Sequence, residues 1–179
     1  MSPTKIPFHI LTIGSLFVAL ACNGLFELMT ADMLSETGSR PAQTAPEFEL
    51  TTFEGETIKL SDFRGTVVVI NFWAGWAGPC RDAAPVLQAA WEEYQDQEVV
   101  FIGVAFADHG PSSRAFLDEF GITYLNGPDL ETRISEDYNV QGVPETFFID
   151  RDGNIAETII GLIDAEEFRT ILDGLLQTS

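Results

Sequence analysis

Basic side chains are scarce in this chain. Its 179 residues carry 9 Lys and Arg against 28 Asp and Glu, a formal charge of −19. A chain of that sign repels phosphate backbones, which excludes nucleic acid as a partner. Cysteine is scarcer still. Cys22 and Cys80 are the only two, too few for a disulfide framework or a four-thiolate zinc site. The two histidines, His9 and His109, make no ligand cluster. No metal, haem or other cofactor is therefore expected. Charge of either sign is missing from residues 6–26, a run of 21 residues, close to the roughly 20 that span a bilayer as a helix.

What is present suffices for a folded domain. Hydrophobic residues make up 45% and aromatic residues 11% of the chain, enough for one core and too much for a disordered acidic tail. Residues 1–34 read as a transmembrane anchor or signal segment. Lys5 before the uncharged run, with Glu27, Asp32 and Glu36 after it, favours a cytoplasmic N-terminus and an extracytoplasmic remainder. Three fates are open: an uncleaved anchor, cleavage after Ala19-Leu20-Ala21, or lipidation of Cys22. Residues 35–44 (SETGSRPAQT) have a linker composition, and residues 45–179 form the domain.

Within the domain, residues 57–60 carry a short strand signal. Residues 66–73 (TVVVINFW) form a β-branched run suited to a central strand buried on both faces. Residues 80–94 read as a helix with Leu87, Trp91 and Tyr94 at helical spacing and Pro85 placed to kink its start. Residues 99–106 are a second buried strand. Residues 111–120 and 131–138 are helices. Strands at 146–150 and 156–160 flank Arg151-Asp152-Gly153-Asn154, a hairpin turn signal. Asp164 caps a last helix that runs through residue 176. The early strand–helix–strand unit calls for parallel pairing and the late hairpin for antiparallel pairing. The expected fold is α/β, a mixed central sheet flanked by helices and preceded by an N-terminal hydrophobic helix.

The order of elements, together with Ala45-Pro46-Glu47-Phe48, Leu60-Ser61-Asp62-Phe63-Arg64-Gly65, Asn71-Phe72-Trp73-Ala74, Trp76, Gly78-Pro79-Cys80-Arg81 and Gly142-Val143-Pro144-Glu145-Thr146-Phe147, resembles the thioredoxin fold. More narrowly it resembles the extracytoplasmic thiol–disulfide oxidoreductases of the TlpA/ResA/CcmG type. The Gly142 to Phe147 block leans toward members that act in cytochrome c maturation. The resemblance implies a W-C-x-x-C motif at a helix start, whose first cysteine attacks a disulfide and whose second resolves the mixed disulfide. It implies a cis Val143–Pro144 bond facing that motif. It also implies cysteine-containing extracytoplasmic polypeptides, or a redox partner protein, as partners.

The motif here reads Trp76-Ala77-Gly78-Pro79-Cys80. Ala77 occupies the position of the nucleophile, and a methyl group can neither ionise nor attack sulfur. Ala83 stands where the family often carries a glutamate near the dithiol. Asn71 stands where plain thioredoxins keep a buried aspartate. Natural loss, an engineered variant and a sequence error compete for Ala77; the paired change at Ala83 favours natural divergence. Cys80 reads as an inert buried thiol or as a monothiol nucleophile. Peroxide chemistry has little support, because the threonine that peroxiredoxin-like proteins carry three residues before their cysteine is again Ala77.

Trp76, Gly78, Pro79, Val143, Pro144 and Glu145 are the candidate substrate-binding residues. Trp76 is a loop cover or a binding platform. Glu145 is a solvated charge or a carboxylate facing a bound client, and His109 reads as a solvated loop residue. The functional readings are then an oxidoreductase of this family impaired in two-cysteine exchange, a redox-silent module that binds cysteine-containing polypeptides, or a monothiol enzyme using Cys80. The acid is concentrated in the domain, where residues 45–179 hold 25 acidic and seven basic side chains, Lys59 being the only lysine. Such a surface suits a high-salt medium, which screens self-repulsion.

Overall fold

A computed structural model describes residues 43–108 and 110–178. The expected N-terminal hydrophobic helix, Cys22, most of the linker and His109 lie outside the described residues. Gln43 and Thr44, expected in the linker, already form strand β1 (Gln43–Thr44). Next come β2 (Glu49–Thr51), β3 (Thr57–Lys59), a 3₁₀ turn (Leu60–Phe63), β4 (Val67–Trp73), α1 (Gly78–Tyr94), β5 (Val99–Phe106), α2 (Gly110–Phe120), β6 (Leu125–Asp129), α3 (Arg133–Asp137), β7 (Glu145–Ile149), β8 (Asn154–Ile160) and α4 (Ala165–Gln177). Six strands form one sheet in the order β1-β8-β7-β4-β5-β6, and β2 pairs with β3 in a separate hairpin.

β4 is central because every one of its residues is buried, as a strand covered on both faces requires. It runs parallel to β5 and antiparallel to β7. Its alternate side chains serve opposite cores. Val68, Ile70 and Phe72 pack with Leu50, Ile58, Leu60, Ile134, Tyr138 and Phe147. Val67 and Val69 pack with Ala83, Leu87 and Tyr94 of α1 and with Phe168 and Leu172 of α4. A third cluster, around Trp73, Ala74, Ala77, Cys80, Ala105 and Phe116, closes the C-terminal end of β4 beneath the loop into α1. The mixed sheet flanked by helices thus matches the expected α/β class.

The hairpin β7–β8 is antiparallel, as its turn signal predicts. Gly153 sits in the turn at φ +84°, and a Cβ there would collide with the Arg64 guanidinium, which donates to the Asp152 carbonyl oxygen (2.8 Å). The cap of α4 also forms: Asp164 Oδ1 accepts from the Glu166 and Glu167 N–H groups, both at 2.9 Å. α1 starts at Gly78, two residues before the expected Cys80, and continues through Pro85.

β6 is not among the expected strands; its Gly127 and Pro128 are poor strand formers in isolation. It is an edge strand, where a missing proline N–H is tolerated. Gly127 is required there because β2 crosses at close range: an added Cβ would meet Leu50 Cγ and the Thr51 carbonyl oxygen at 2.7 Å.

Candidate functional site

The strand–helix junction places the motif at the end of the central strand. β4 ends at Trp73, Ala74 and Gly75 follow, and Trp76 stands out into solvent with 65% of its surface exposed. Ala77 is the N-cap of α1. Its N–H donates to the Ala74 carbonyl oxygen (3.1 Å), and its own carbonyl accepts from the Cys80 N–H (3.1 Å). Gly78 and Pro79 are exposed and Ala77 is buried. The helix start therefore offers the positive end of its dipole to an anion, but few donors, since Pro79 has no N–H and the Cys80 and Arg81 N–H groups donate to the Ala77 carbonyl oxygen. Position 77 contributes only a methyl group.

Cys80 lies one turn in and is 2% exposed. It is unpaired. Burial pushes its thiol pKa up to about 11, and a backbone hydrogen bond with Ala74 opposes the shift only in part. The thiol is neutral at ordinary pH, so it is a poor nucleophile. Ala83 packs in the core with Val67, Val69 and Leu87. Asn71 donates from Nδ2 to Thr146 Oγ1 (3.0 Å), so a neutral amide occupies the interior of β4.

The Val143–Pro144 bond is cis, as the resemblance implies. Val143 packs against the cluster that holds Ala77 and Cys80. Pro144 is buried, and its carbonyl oxygen accepts from the Gly161 N–H (2.8 Å). Among the described residues no hydrogen bond takes up the Val143 N–H or C=O. Ala77 and Val143 thus pack in one cluster, and the backbone donor and acceptor of Val143 are unused among the described residues. Leu162, 57% exposed, follows Gly161 directly in the chain.

Glu145 departs from both of its expected roles. It is 2% exposed rather than solvated, and its Oε2 accepts from the Gln141 N–H (2.9 Å). In β7 it shares a face with Phe147 and Ile149, which pack with Phe72 and Tyr138. Ala77 and Cys80 pack on the opposite side with Trp73. Strand parity turns the carboxylate away from them, and its hydrogen bond makes it a brace for the loop ahead of the cis proline.

One supporting residue escapes the sequence. Asp108, just after β5, is 4% exposed. Its Oδ2 accepts from the Gly75 N–H (2.8 Å) and its Oδ1 from the Ser112 hydroxyl (2.5 Å). A buried carboxylate thus ties the loop carrying Trp76 to α2. An aspartate after a strand gives no local sign of that partnership. Trp73 completes the floor: it stacks on Phe116 at 4.5 Å between ring centroids and donates from Nε1 to Asn126 Oδ1 (2.9 Å).

Cavities lie elsewhere, one of 570 Å³ around Leu50, Asp129 and Ile134 and one of 430 Å³ around Arg114 and Tyr124. Among the described residues no three His, Cys, Asp or Glu side chains are placed to hold a metal ion, and no helix is long and apolar enough to cross a membrane.

Comparison with known proteins agrees with this geometry. The sequence profile of the AhpC/TSA family matches residues 41–158. The thiol-disulfide oxidoreductase ResA of Geobacillus kaustophilus is 31% identical over 160 residues, covering 89% of this chain and 91% of its own. The thioredoxin-like protein YneN of Bacillus subtilis is 35% identical over 140 residues, covering 77% and 82%. Among solved structures, a proposed thiol:disulfide interchange protein DsbE from Chlorobium tepidum superposes with a TM-score of 0.68 at 30% identity, covering 75% of this chain and 96% of that one.

Proposed function

The chain belongs to the AhpC/TSA family, among thioredoxin-fold proteins of the ResA and DsbE-like thiol–disulfide oxidoreductase type, and on that membership we propose that it holds cysteine-containing polypeptides without exchanging disulfides with them. Exchange needs a thiolate that attacks one sulfur of a disulfide while the other leaves as thiolate. The observation that carries this reading is the pairing of Ala77 at the helix N-cap with a Cys80 thiol that is 2% exposed and held neutral. Neither position supplies the attacking sulfur, and the state of Cys80 speaks equally against a monothiol enzyme. What survives of the family's machinery is the binding face: Trp76, the helix N-terminus, and the free Val143 N–H and C=O, which suit pairing with an extended client strand.

The uncharged residues 6–26 support a tether that places the domain outside the cytoplasm. The Gly142 to Phe147 block supports cytochrome c precursors as a client class. Reduction of insulin by the full chain with dithiothreitol tests the central reading. The parent should add nothing to the rate of dithiothreitol alone, and Ala77→Cys should raise it by about two orders of magnitude or more. Activity in the parent would refute this account. Trp76→Ala should weaken capture of reduced polypeptides while the fold survives.

A further inference from the structure

We propose that the outer edge of β8 is a docking surface for an extended strand of another molecule, one that alternates Lys or Arg with apolar residues. On its inner side β8 pairs with β7 from Ile155 to Ile160. On its outer side β1 covers only Asn154 and Ile155. Among the described residues nothing pairs with the outer side of residues 156–160. The Gly161 N–H turns inward to Pro144. Peptide groups alternate in direction along a strand, so those of Thr158 and Ile160 point outward. The Thr158 N–H donates to the carboxylate of its neighbour Glu157 (3.2 Å), a contact that a partner's carbonyl can replace. Lysine and proline, which commonly blunt open edges, are absent from this stretch.

The two faces of β8 define the occupant. Thr158 and Ile160 lie on one face, where Ile160 is 59% exposed. Glu157 and Ile159 lie on the other, beside α4, and line a cavity of 580 Å³ with Asp164, Glu166, Glu167 and Ile171. Asp164 is engaged as the helix cap and Glu157 by the Thr158 N–H; Glu166 and Glu167 also line the cavity, and no basic residue does. A Lys or Arg stem fits along the two isoleucines with its charge at Glu157 and Glu167. The next residue of the same strand then faces Ile160 and is apolar. A second copy of this chain is a poor occupant, since it sets the same acids against each other in a chain of charge −19.

The test is fluorescence anisotropy of a labelled octapeptide of alternating Lys and Val, titrated with the full chain. Saturable binding that weakens with salt is expected, and an octapeptide of Glu and Val should not bind. N-methylation of the peptide at alternate residues blocks pairing through one set of amides, and one of the two such peptides should lose binding. Glu157→Gln combined with Glu167→Gln should weaken binding about tenfold. By hydrogen exchange, the Thr158 and Ile160 amides should exchange fast in the free chain and slowly with the peptide. Three results would overturn the proposal: no binding of the Lys–Val peptide, equal binding of both N-methylated peptides, which is charge attraction without pairing, or slow exchange of these amides in the free chain, which means the chain's own upstream residues or a second copy already cover the edge.

Discussion

Two helices start against the same face of the sheet and are treated in opposite ways at their N-termini. α4 has an aspartate cap that takes two N–H groups, and Glu166 and Glu167 fill its first turn. α1 is capped by Ala77, with no side-chain hydrogen bond and no acidic residue in its first turn. Acid is abundant in this chain, with 28 such residues, so its absence at α1 is not a matter of supply. An acidic first turn stabilises a helix by complementing the dipole. α4 uses that stabilisation, and α1 leaves its positive end open beside Trp76. Under the function proposed above, the start of α1 is the end that receives a partner.

The largest expected effect inverts the chemistry at that end. A thiol introduced by Ala77→Cys sits at the helix N-terminus, where the dipole favours the thiolate. At pH 7 iodoacetamide should alkylate it about a thousandfold faster than Cys80. Equal rates would show that the helix end confers nothing.

Cys80 itself should resist a disulfide reagent from pH 7 to 9 in the native chain and react at once after unfolding in guanidinium. Its pKa rises on folding, from 9.0 to about 11. The neutral thiol is therefore the form the fold favours, and this stabilisation is complete below pH 9 and is lost as pH climbs toward 11. Thermal melts of the parent should fall relative to Cys80→Ala across that window by about 2 kcal/mol. Parallel curves would refute the burial account.

Smaller effects separate the two caps. Asp164→Ala should cost about 1–2 kcal/mol, read as a lower melting temperature, because two N–H groups lose their acceptor. Ala77→Ser should change stability by less than about 0.5 kcal/mol, because Pro79 has no N–H and the Cys80 N–H already donates to the Ala77 carbonyl oxygen. If Asp164→Ala is as neutral as Ala77→Ser, the caps do not differ in the way described.

The smallest effect concerns the charge as a whole. Six of the domain's seven basic residues are in ion pairs, such as Arg169 with Glu93 (2.8 Å) and Arg151 with Glu98 (3.1 Å). Most of the 25 acids remain, so molar salt should raise the melting temperature by a few degrees. Equal melts at low and molar salt would remove the high-salt expectation.

Much of the architecture was legible in the chain because it is written locally. The run in β4 is apolar at every position but Asn71, which is enough to announce burial on both sides. The β7–β8 turn announces itself through Asp152, Gly153 and Asn154, and α4 through its cap and its apolar stripe. β6 was illegible because Gly127 and Pro128 are breakers in isolation; only the crossing of β2 over Gly127 and the edge position of Pro128 explain them. β2, three residues long, is too short for any periodicity to register.

The site divides along the same line. That residue 77 cannot attack a disulfide follows from the identity of its side chain, and no fold alters it. The sign of the charge and the scarcity of lysine are likewise properties of composition. Whether Cys80 is exposed, whether Glu145 is solvated and how the Trp76 loop is held were decided only by tertiary structure. Burial and hydrogen-bond partners come from residues distant in the chain: Gly75 finds Asp108, Pro144 finds Gly161, and Cys80 is covered by Trp73 and Phe116. A sequence determines which groups exist. Packing determines which of them meet water, and that exposure sets whether a thiol ionises or a strand edge can be reached.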